Sequence, residues 1–275
     1  MLEKILVPSD LSDSSNSVIP YAVTLAQAFH SKLYLVHVMD PASLKEPESL
    51  LDFPRLTRML SLDLGAPDLP PLKKNVPVAK MYMYKKNRAE AIVESIRSKK
   101  VDLVCVASKK DGLNLAWWSV GNIIESIIAS VPCHVLCVRG RPVKDKDWKR
   151  PRFKHILSLT ELGPDVAQRF SKLLPLVHKF NSMLHVFPLV TGRAKSSRDD
   201  NPLREVAHLN AAQTNVLLFA DPAKRVRNLL DFVEKTPIDL IVMAPGTREK
   251  FSNRLLNDVL VKLLRVTDSP VLLLR

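Results

Sequence analysis

Three side chains of types that bind transition metals lie close together in the chain: Cys133, His134 and Cys137. The apolar run at residues 135–138 predicts a β-strand at this point. Side chains alternate between the two faces of a strand, so Cys133 and Cys137 share one face while His134 points to the other. The three ligands do not converge, and we therefore expect buried core thiols and no metal site.

The sequence offers no catalytic group with a supporting context. His37 and His185 each lie in a strand-like apolar run, and we interpret them as core or strand-end histidines. No grouping of Ser, His and Asp, or of Cys and His, matches the context of a nucleophile motif. We accordingly expect a non-enzymatic protein with no catalytic residues.

The composition is that of a globular protein with two domains. The chain has 275 residues, of which 46% are apolar and 25% charged. No apolar run approaches the roughly 20 residues of a membrane-spanning helix, and the first residues lead into a strand-like run without a secretory signal. The cysteines number 3, and an odd number argues against a disulfide framework. These features predict a cytoplasmic protein with no membrane span.

The chain is strongly basic, with a formal net charge of +13. Part of this charge lies at residues 141–152, where Lys and Arg outnumber Asp. Trp148 and Phe153 stand among or beside these charges, as aromatic side chains do on many nucleic-acid-binding surfaces. Such a segment is either a solvated linker or a surface for a polyanion, and the sequence leaves both interpretations open.

Residues 101–139 contain a complete parallel crossover unit, and the chain contains it twice. Its parts are an apolar run at 101–106, a polar loop at 108–114, a helical pattern at 120–128 and the apolar run at 135–138. Residues 238–244 match residues 101–107, and the same order of elements follows them. The chain is therefore a tandem duplication, with domains at 1–140 and 153–275 and a basic linker at 141–152.

Hydrophobic periodicity predicts further strands and helices in both repeats. In repeat one we expect strands at 4–8, 33–38 and 76–84 and helices at 50–64 and 89–100. A further helix is expected to begin at an N-cap among residues 13–15 and to run to about residue 30. In repeat two we expect strands at 153–159, 183–190, 215–220, 238–244 and 271–274, and helices at 165–180, 223–235 and 254–266. The alternation of strands and helices predicts an α/β fold with two tandem doubly wound parallel sheets.

Two motifs resemble the universal stress protein family, in its tandem two-domain form. Residues 132–139, Pro-Cys-His-Val-Leu-Cys-Val-Arg, are similar to the family's Pro-Cys-Pro-Val-Leu-Val-Val-Arg. Residues 4–15, Lys-Ile-Leu-Val-Pro-Ser-Asp-Leu-Ser-Asp-Ser-Ser, resemble its first strand and aspartate loop. The resemblance implies two five-stranded Rossmann-like sheets of strand order 3-2-1-4-5 and a role in stress adaptation.

Nucleotide-binding members of this family build their site from three features. A carboxylate after the first strand contacts the nucleoside, backbone after the second strand meets the base, and a glycine-bearing loop holds the phosphates. The resemblance implies that the same site in repeat one would be lined by Ser9, Asp10, Val38, Ser108, Lys109, Lys110, Gly121 and Asn122.

The phosphate loop departs from the family pattern Gly-x-x-Gly-(nine residues)-Gly-Ser/Thr. Its first two glycine positions hold Ala107 and Lys110, and Gly121 comes one residue late. Glycine allows positive φ and a close approach of backbone amides to phosphate, so its loss weakens phosphate binding. We expect a degenerate site, no resident cofactor and weak or absent ATP binding. ATP binding in the first domain, through the lysine-bearing loop, stays open as the alternative.

Repeat two departs further from the pattern. Ala244 stands at the first glycine position, and Asn257 or Asp258 stands where the last glycine belongs. A carboxylate there would repel phosphate. Glu161 takes the place of Asp10. Asp10 itself is open to two interpretations: a ligand for the nucleoside, or a residue that caps a helix or forms a turn.

Three functions follow as hypotheses. The first is a non-enzymatic stress-response protein that binds an unidentified small ligand or protein partner. The second is a switch that binds ATP or hydrolyses it slowly, and the third is a basic adaptor for nucleic acid or another polyanion.

The fifth strands carry a prediction of their own. Family members commonly pair through these strands, which here lie at residues 135–138 and 271–274 and are almost wholly apolar. An uncovered edge strand invites pairing, and a closed two-fold contact needs similar residues in both copies. We therefore expect an internal pseudo-dimer in which the two edges cover each other, with further dimerisation left open.

Overall fold

The computed structural model describes residues 2–10, 12–39, 76–108, 126–128, 130–140, 150–161, 166–189, 214–217, 224–244, 259, 262–263 and 266–275. The chain divides into two compact units, Met1–Pro151 and Arg152–Arg275. The predicted helix at 50–64, residues 109–125 of the phosphate loop, most of the linker and most of the predicted helix at 254–266 lie outside the described residues. No helix in the described part of the chain is both long and apolar enough to span a membrane.

Unit 1 is a parallel five-stranded sheet with helices between its strands. Its elements are β1 (Lys4–Pro8), α1 (Asp13–Asn16), α2 (Ile19–Phe29), β2 (Lys32–Met39), β3 (Val78–Tyr84), α3 (Arg88–Lys99), β4 (Leu103–Ser108) and β5 (His134–Arg139). The strand order is β3-β2-β1-β4-β5, and each neighbouring pair is parallel. The order implied by the resemblance is thus confirmed here.

Unit 2 repeats the arrangement. Its elements are β6 (His155–Glu161), α4 (Val166–Phe180), β7 (Met183–Leu189), β8 (Thr214–Val216), α5 (Arg225–Lys235), β9 (Leu240–Ala244) and β10 (Val271–Leu273). The order β8-β7-β6-β9-β10 corresponds strand for strand to that of unit 1, and the pairs are again parallel. The prediction of two doubly wound sheets is confirmed.

The central strands are buried on both faces, as a doubly wound sheet requires. Ile5, Leu6 and Val7 are each 0% exposed although their side chains alternate between the faces of β1. Such consecutive apolar residues are typical of a parallel strand covered by helices on both sides. Ile156 and Leu157 of β6 are buried in the same way.

One predicted helix is wrong. The sequence pattern predicts a single helix over 13–30, whereas the structure has α1 and α2 with a break at Ser17 and Val18. Pro20 explains the break, because proline has no N–H to donate to the carbonyl of Asn16 four residues earlier. It lies in the first turn of α2, where the missing donor costs nothing.

Candidate functional site

Four of the eight residues expected to line the site lie at one edge of unit 1. Ser9 and Asp10 follow β1 directly, Val38 is near the end of β2, and Ser108 ends β4. Because these strands are parallel, their carboxyl ends meet at the same edge of the sheet. The other four residues, Lys109, Lys110, Gly121 and Asn122, lie outside the described residues.

This edge contains the point where the strand order reverses, between β1 and β4. Their hydrogen-bonded register consists of Ile5 with Leu103 and Leu6 with Val104. Within the described residues the pairing ends there, although β4 continues beside β5 as far as Ser108 and Arg139. In doubly wound sheets, ligands bind in the crevice at the carboxyl ends of the strands flanking such a switch point.

Pro8 explains why the two strands stop pairing. Backbone N–H and C=O groups of successive residues face opposite neighbours, and the N–H of Ser9 donates to Val36 of β2 at 2.9 Å. The backbone nitrogen of Pro8 therefore faces β4, but proline has no N–H to donate to that strand. The ladder cannot continue through this residue.

Ser9 is held at three of its polar atoms. Its N–H donates to the carbonyl of Val36 in β2, and its carbonyl oxygen lies 2.8 Å from Nδ1 of His37. Its hydroxyl donates to Oδ1 of Asn16 at 3.1 Å and lies 3.1 Å from the hydroxyl of Ser15. Ser9, Asn16 and His37 are all buried. The residue before Asp10 is thus fixed to both β2 and α1.

Asp10 forms a turn at the exposed rim of this edge. Its Oδ1 accepts hydrogen bonds from the N–H of Ser12 at 3.1 Å and from the Ser12 hydroxyl at 2.5 Å. Ser12 is the N-cap of α1, where its hydroxyl accepts from the N–H of Ser15, so the N-cap interpretation of Asp10 and the N-cap candidates at residues 13–15 are wrong. The turn-forming interpretation of Asp10 therefore has direct support. A carboxylate accepts up to four hydrogen bonds, so the turn leaves room for a ligand role as well.

The equivalent edge of unit 2 is built differently. The two units align residue for residue from the start of the first strand to the second strand. Lys4 pairs with Lys32 in unit 1, and His155 pairs with Met183 in unit 2, and the two pairs are equally far apart in sequence. Leu159 then replaces Pro8, and β6 pairs with β9 as far as Thr160 and Ala244. Glu161, the counterpart of Asp10, still lies within β6. At the switch point of unit 2 the backbone pairing therefore extends farther toward the carboxyl ends of the strands than it does in unit 1.

The residues around Ser9 have no polar counterparts in unit 2. At the positions of Ser15, Asn16 and His37, unit 2 has Val166, Ala167 and Pro188. These side chains cannot form hydrogen bonds. The sequence pattern predicted His37 to be a core or strand-end histidine and gave Pro8 no role. A comparison of the two repeats, position by position, would have singled out both residues.

A family model described as the universal stress protein family matches residues 1–139. The chain belongs to the universal stress protein family. Two solved structures show the same fold. A universal stress protein from Archaeoglobus fulgidus DSM 4304 is 14% identical with a TM-score of 0.64, covering 100% of this chain and 97% of that chain. A functionally unknown protein from Pseudomonas aeruginosa PAO1 is 16% identical with a TM-score of 0.64, covering 99% and 92%. A comparison with curated proteins found no match.

The cysteines of this universal stress protein are deep in unit 1. Cys105, Cys133 and Cys137 are not joined in disulfides, and all three are buried. Cys133 precedes β5 and does not lie within it, contrary to the sequence prediction. Burial raises the pKa of Cys105 well above its ordinary value and that of Cys137 to about 12, so both are neutral thiols at physiological pH. Among the described residues, no three His, Cys, Asp or Glu side chains are grouped to hold a metal ion.

Unit 2 of this universal stress protein contains a histidine pair at the amino ends of β6 and β7. Nδ1 of His155 lies 3.1 Å from Nε2 of His185, with the rings 13° from parallel. Nδ1 of His185 is buried without a hydrogen-bond partner. A buried lone pair costs less than a buried unpaired N–H, so we assign the shared proton to Nε2 of His185. Burial, and then the nearby His155, lower the pKa of His185 to about 4.

Proposed function

We propose that this universal stress protein is a non-enzymatic stress-response protein whose ligand site lies in unit 1 alone. The observation that carries the proposal is the end of the β1–β4 ladder at Pro8, beside the fixed Ser9 and the exposed Asp10. Unit 2 keeps backbone pairing at the same place. A ligand that enters between strands at a switch point therefore has a place to bind in one unit only.

The chemistry of this edge favours the nucleoside part of a nucleotide. Asp10 offers a carboxylate that accepts hydrogen bonds from hydroxyl groups such as those of a ribose. The same negative charge repels phosphate, and the chain lacks the early glycines that would bring backbone amides to a phosphate group. We infer that a neutral nucleoside binds at least as well as ATP, and that both bind weakly.

Isothermal titration calorimetry with adenosine and ATP tests this proposal. We expect adenosine to bind with a Kd of about 0.1–1 mM, ATP to bind no more tightly, and no phosphate to be released from ATP. One ATP bound per chain at micromolar affinity or better would contradict the proposal and favour the ATP switch.

Two matched variants locate the site. Asp10→Asn retains an oxygen that can accept from Ser12, so the turn stays intact while the charge is lost. It should weaken adenosine binding about tenfold, since hydrogen bonds to a charged acceptor are the stronger ones. Glu161→Gln makes the same change at the equivalent position of unit 2 and should leave the affinity unchanged. Equal effects of the two variants would show that the assignment to unit 1 is wrong.

The net charge of +13 favours a second candidate function, the binding of a polyanion. Its test is DNA binding measured across salt concentrations, because phosphate contacts weaken steeply as salt rises. Two results would support an adaptor function. DNA binding should persist at 150 mM salt, about the physiological level, and the logarithm of the binding constant should fall linearly with the logarithm of the salt concentration.

A further inference from the structure

His37 makes a contact that the fold alone does not require. It lies on β2 and is 8% exposed, and its Nδ1 is 2.8 Å from the carbonyl oxygen of Ser9. A carbonyl oxygen only accepts, so Nδ1 of His37 carries the proton and donates. The contact is formed at the place where the chain leaves β1 and turns toward α1.

This hydrogen bond controls more than the orientation of Ser9. The peptide group is planar, so the carbonyl group of Ser9 lies in one plane with the nitrogen and Cα of Asp10. A donor that fixes the carbonyl therefore fixes the starting direction of Asp10. The other two hydrogen bonds of Ser9, from its N–H to Val36 and from its hydroxyl to Asn16, involve atoms that precede this peptide group in the chain.

We propose that His37 is the positioning residue of the unit 1 site, aiming the Asp10 carboxylate at the hydroxyl groups of a bound nucleoside. The nucleoside part of this inference rests on the proposed function, whereas the orientation of the Ser9–Asp10 peptide rests on the contact itself. Unit 2 carries Pro188 at the same position and keeps Glu161 within its strand. The unit without the donor is thus also the unit without an acidic residue just beyond its first strand.

Two variants separate positioning from packing. His37→Asn places an amide donor near the position of Nδ1, whereas His37→Leu keeps the bulk and removes the donor. Two readouts are measured on the full chain: adenosine affinity by calorimetry, and exchange of the Ser12 amide by NMR. The Ser12 amide reports the turn because it bonds to Asp10.

We expect His37→Leu to weaken adenosine binding and to accelerate Ser12 exchange, each about tenfold, as loss of one hydrogen bond would. Thermal unfolding should stay within a few degrees of wild type. His37→Asn should restore both readouts to within about threefold of wild type. A merely structural histidine would change the unfolding temperature without this rescue.

The outcomes can be told apart. If wild type does not bind adenosine but His37→Leu still accelerates Ser12 exchange, the proposed function fails and the positioning role stands. If His37→Leu leaves both readouts at wild-type values, or if His37→Asn behaves like His37→Leu, the inference is overturned. If His37→Leu fails to fold, His37→Gln replaces it, because the amide donor of Gln lies one methylene farther from the backbone than that of Asn. Equal exchange rates for His37→Gln and His37→Asn would then overturn it.

Discussion

The amino ends of the strands are fastened by the same contacts in both units. The Asp102 carboxylate accepts from the amides of Glu3 and Lys4 at 2.8 and 2.9 Å. Asp239 accepts from the amide of His155 at 2.9 Å, and each aspartate donates its own N–H back to the same first strand. These two aspartates belong to the repeated segments at 101–107 and 238–244.

The turns that lead into the second strands also match. His30 and Asn181 end the preceding helices in left-handed conformation, with φ of 58° and 47°. Ser31 and Ser182 follow them, and each hydroxyl donates to a backbone carbonyl near the start of its unit. A left-handed residue at a helix end is a common stop signal that needs no glycine when Asn or His occupies it.

The carboxyl ends show the opposite behaviour. Pro8, Ser9 and His37 of unit 1 correspond to Leu159, Thr160 and Pro188 of unit 2. Contacts that join the first strand to the fourth are thus retained at the amino edge of both sheets, while the hydrogen bonds around Ser9 involve side chains that unit 1 alone carries. Unit 2 thus keeps the fold without the polar side chains that surround Ser9 in unit 1.

The fifth strands are the third place where the units agree, and a charge there should have the largest effect. Leu136 and Leu273 are each 1% exposed. Leu136→Lys or Leu273→Lys should lower the free energy of unfolding by about 3–5 kcal/mol, because a buried unpaired charge is costly. Chemical denaturation measures this, and Val266→Lys, at a residue 38% exposed, is the neutral control.

The same experiment tests whether the two edges cover each other, which stays a prediction from the sequence. If they do, Leu136→Lys should destabilise both units together, as separate probes in each unit would report. Destabilisation confined to unit 1 would show that the predicted pseudo-dimer is wrong.

Acid should distinguish the units through His185. Above pH 6.5 this residue is neutral in both the folded and the unfolded chain. As the pH falls from 6.5 to about 4, the unfolded chain takes up a proton that the folded unit does not. Unit 2 should therefore lose about 3 kcal/mol of stability over this window. His185→Tyr, which installs the residue found at Tyr34 in unit 1, should remove that loss. Equal acid sensitivity of wild type and variant would contradict the assignment.

Removal of the shared aspartates should have a smaller effect that is similar in the two units. Asp102→Ala and Asp239→Ala should each cost about 2 kcal/mol, as expected for hydrogen bonds from amides to a charged acceptor. Urea unfolding measures both variants, with Asp102→Asn as a control that keeps an acceptor oxygen. If one of the alanine variants has wild-type stability, the aspartate contact does not stabilise that unit.

Much of the fold could be predicted because strand signals here are local. Apolar runs and the repeat at 238–244 were enough to place the strands to within a few residues, and the family resemblance supplied their order. The break between α1 and α2 was missed because the apolar pattern continues through it, while the effect of Pro20 is a missing donor that leaves no trace in the pattern.

The site was predicted less completely for a related reason. Ser9, Asp10 and Val38 were assigned to the candidate site from the family resemblance, and that assignment stays a prediction. His37, by contrast, contacts the carbonyl of Ser9, which is 28 residues away in the chain. Pro8 acts through the ladder between two strands. Such effects depend on which residues become neighbours in the sheet, and periodicity along one chain does not contain that information.

Chemical-shift mapping of adenosine on the labelled full-length chain tests the central claim most directly, since it locates binding in either unit. We expect the amide signals of Ser9, Asp10 and Val38 to shift in a saturable manner. The signals of Thr160, Glu161 and Leu189 should not shift. Shifts at the unit 2 residues, or at both edges alike, would contradict the claim that only unit 1 retains a binding edge.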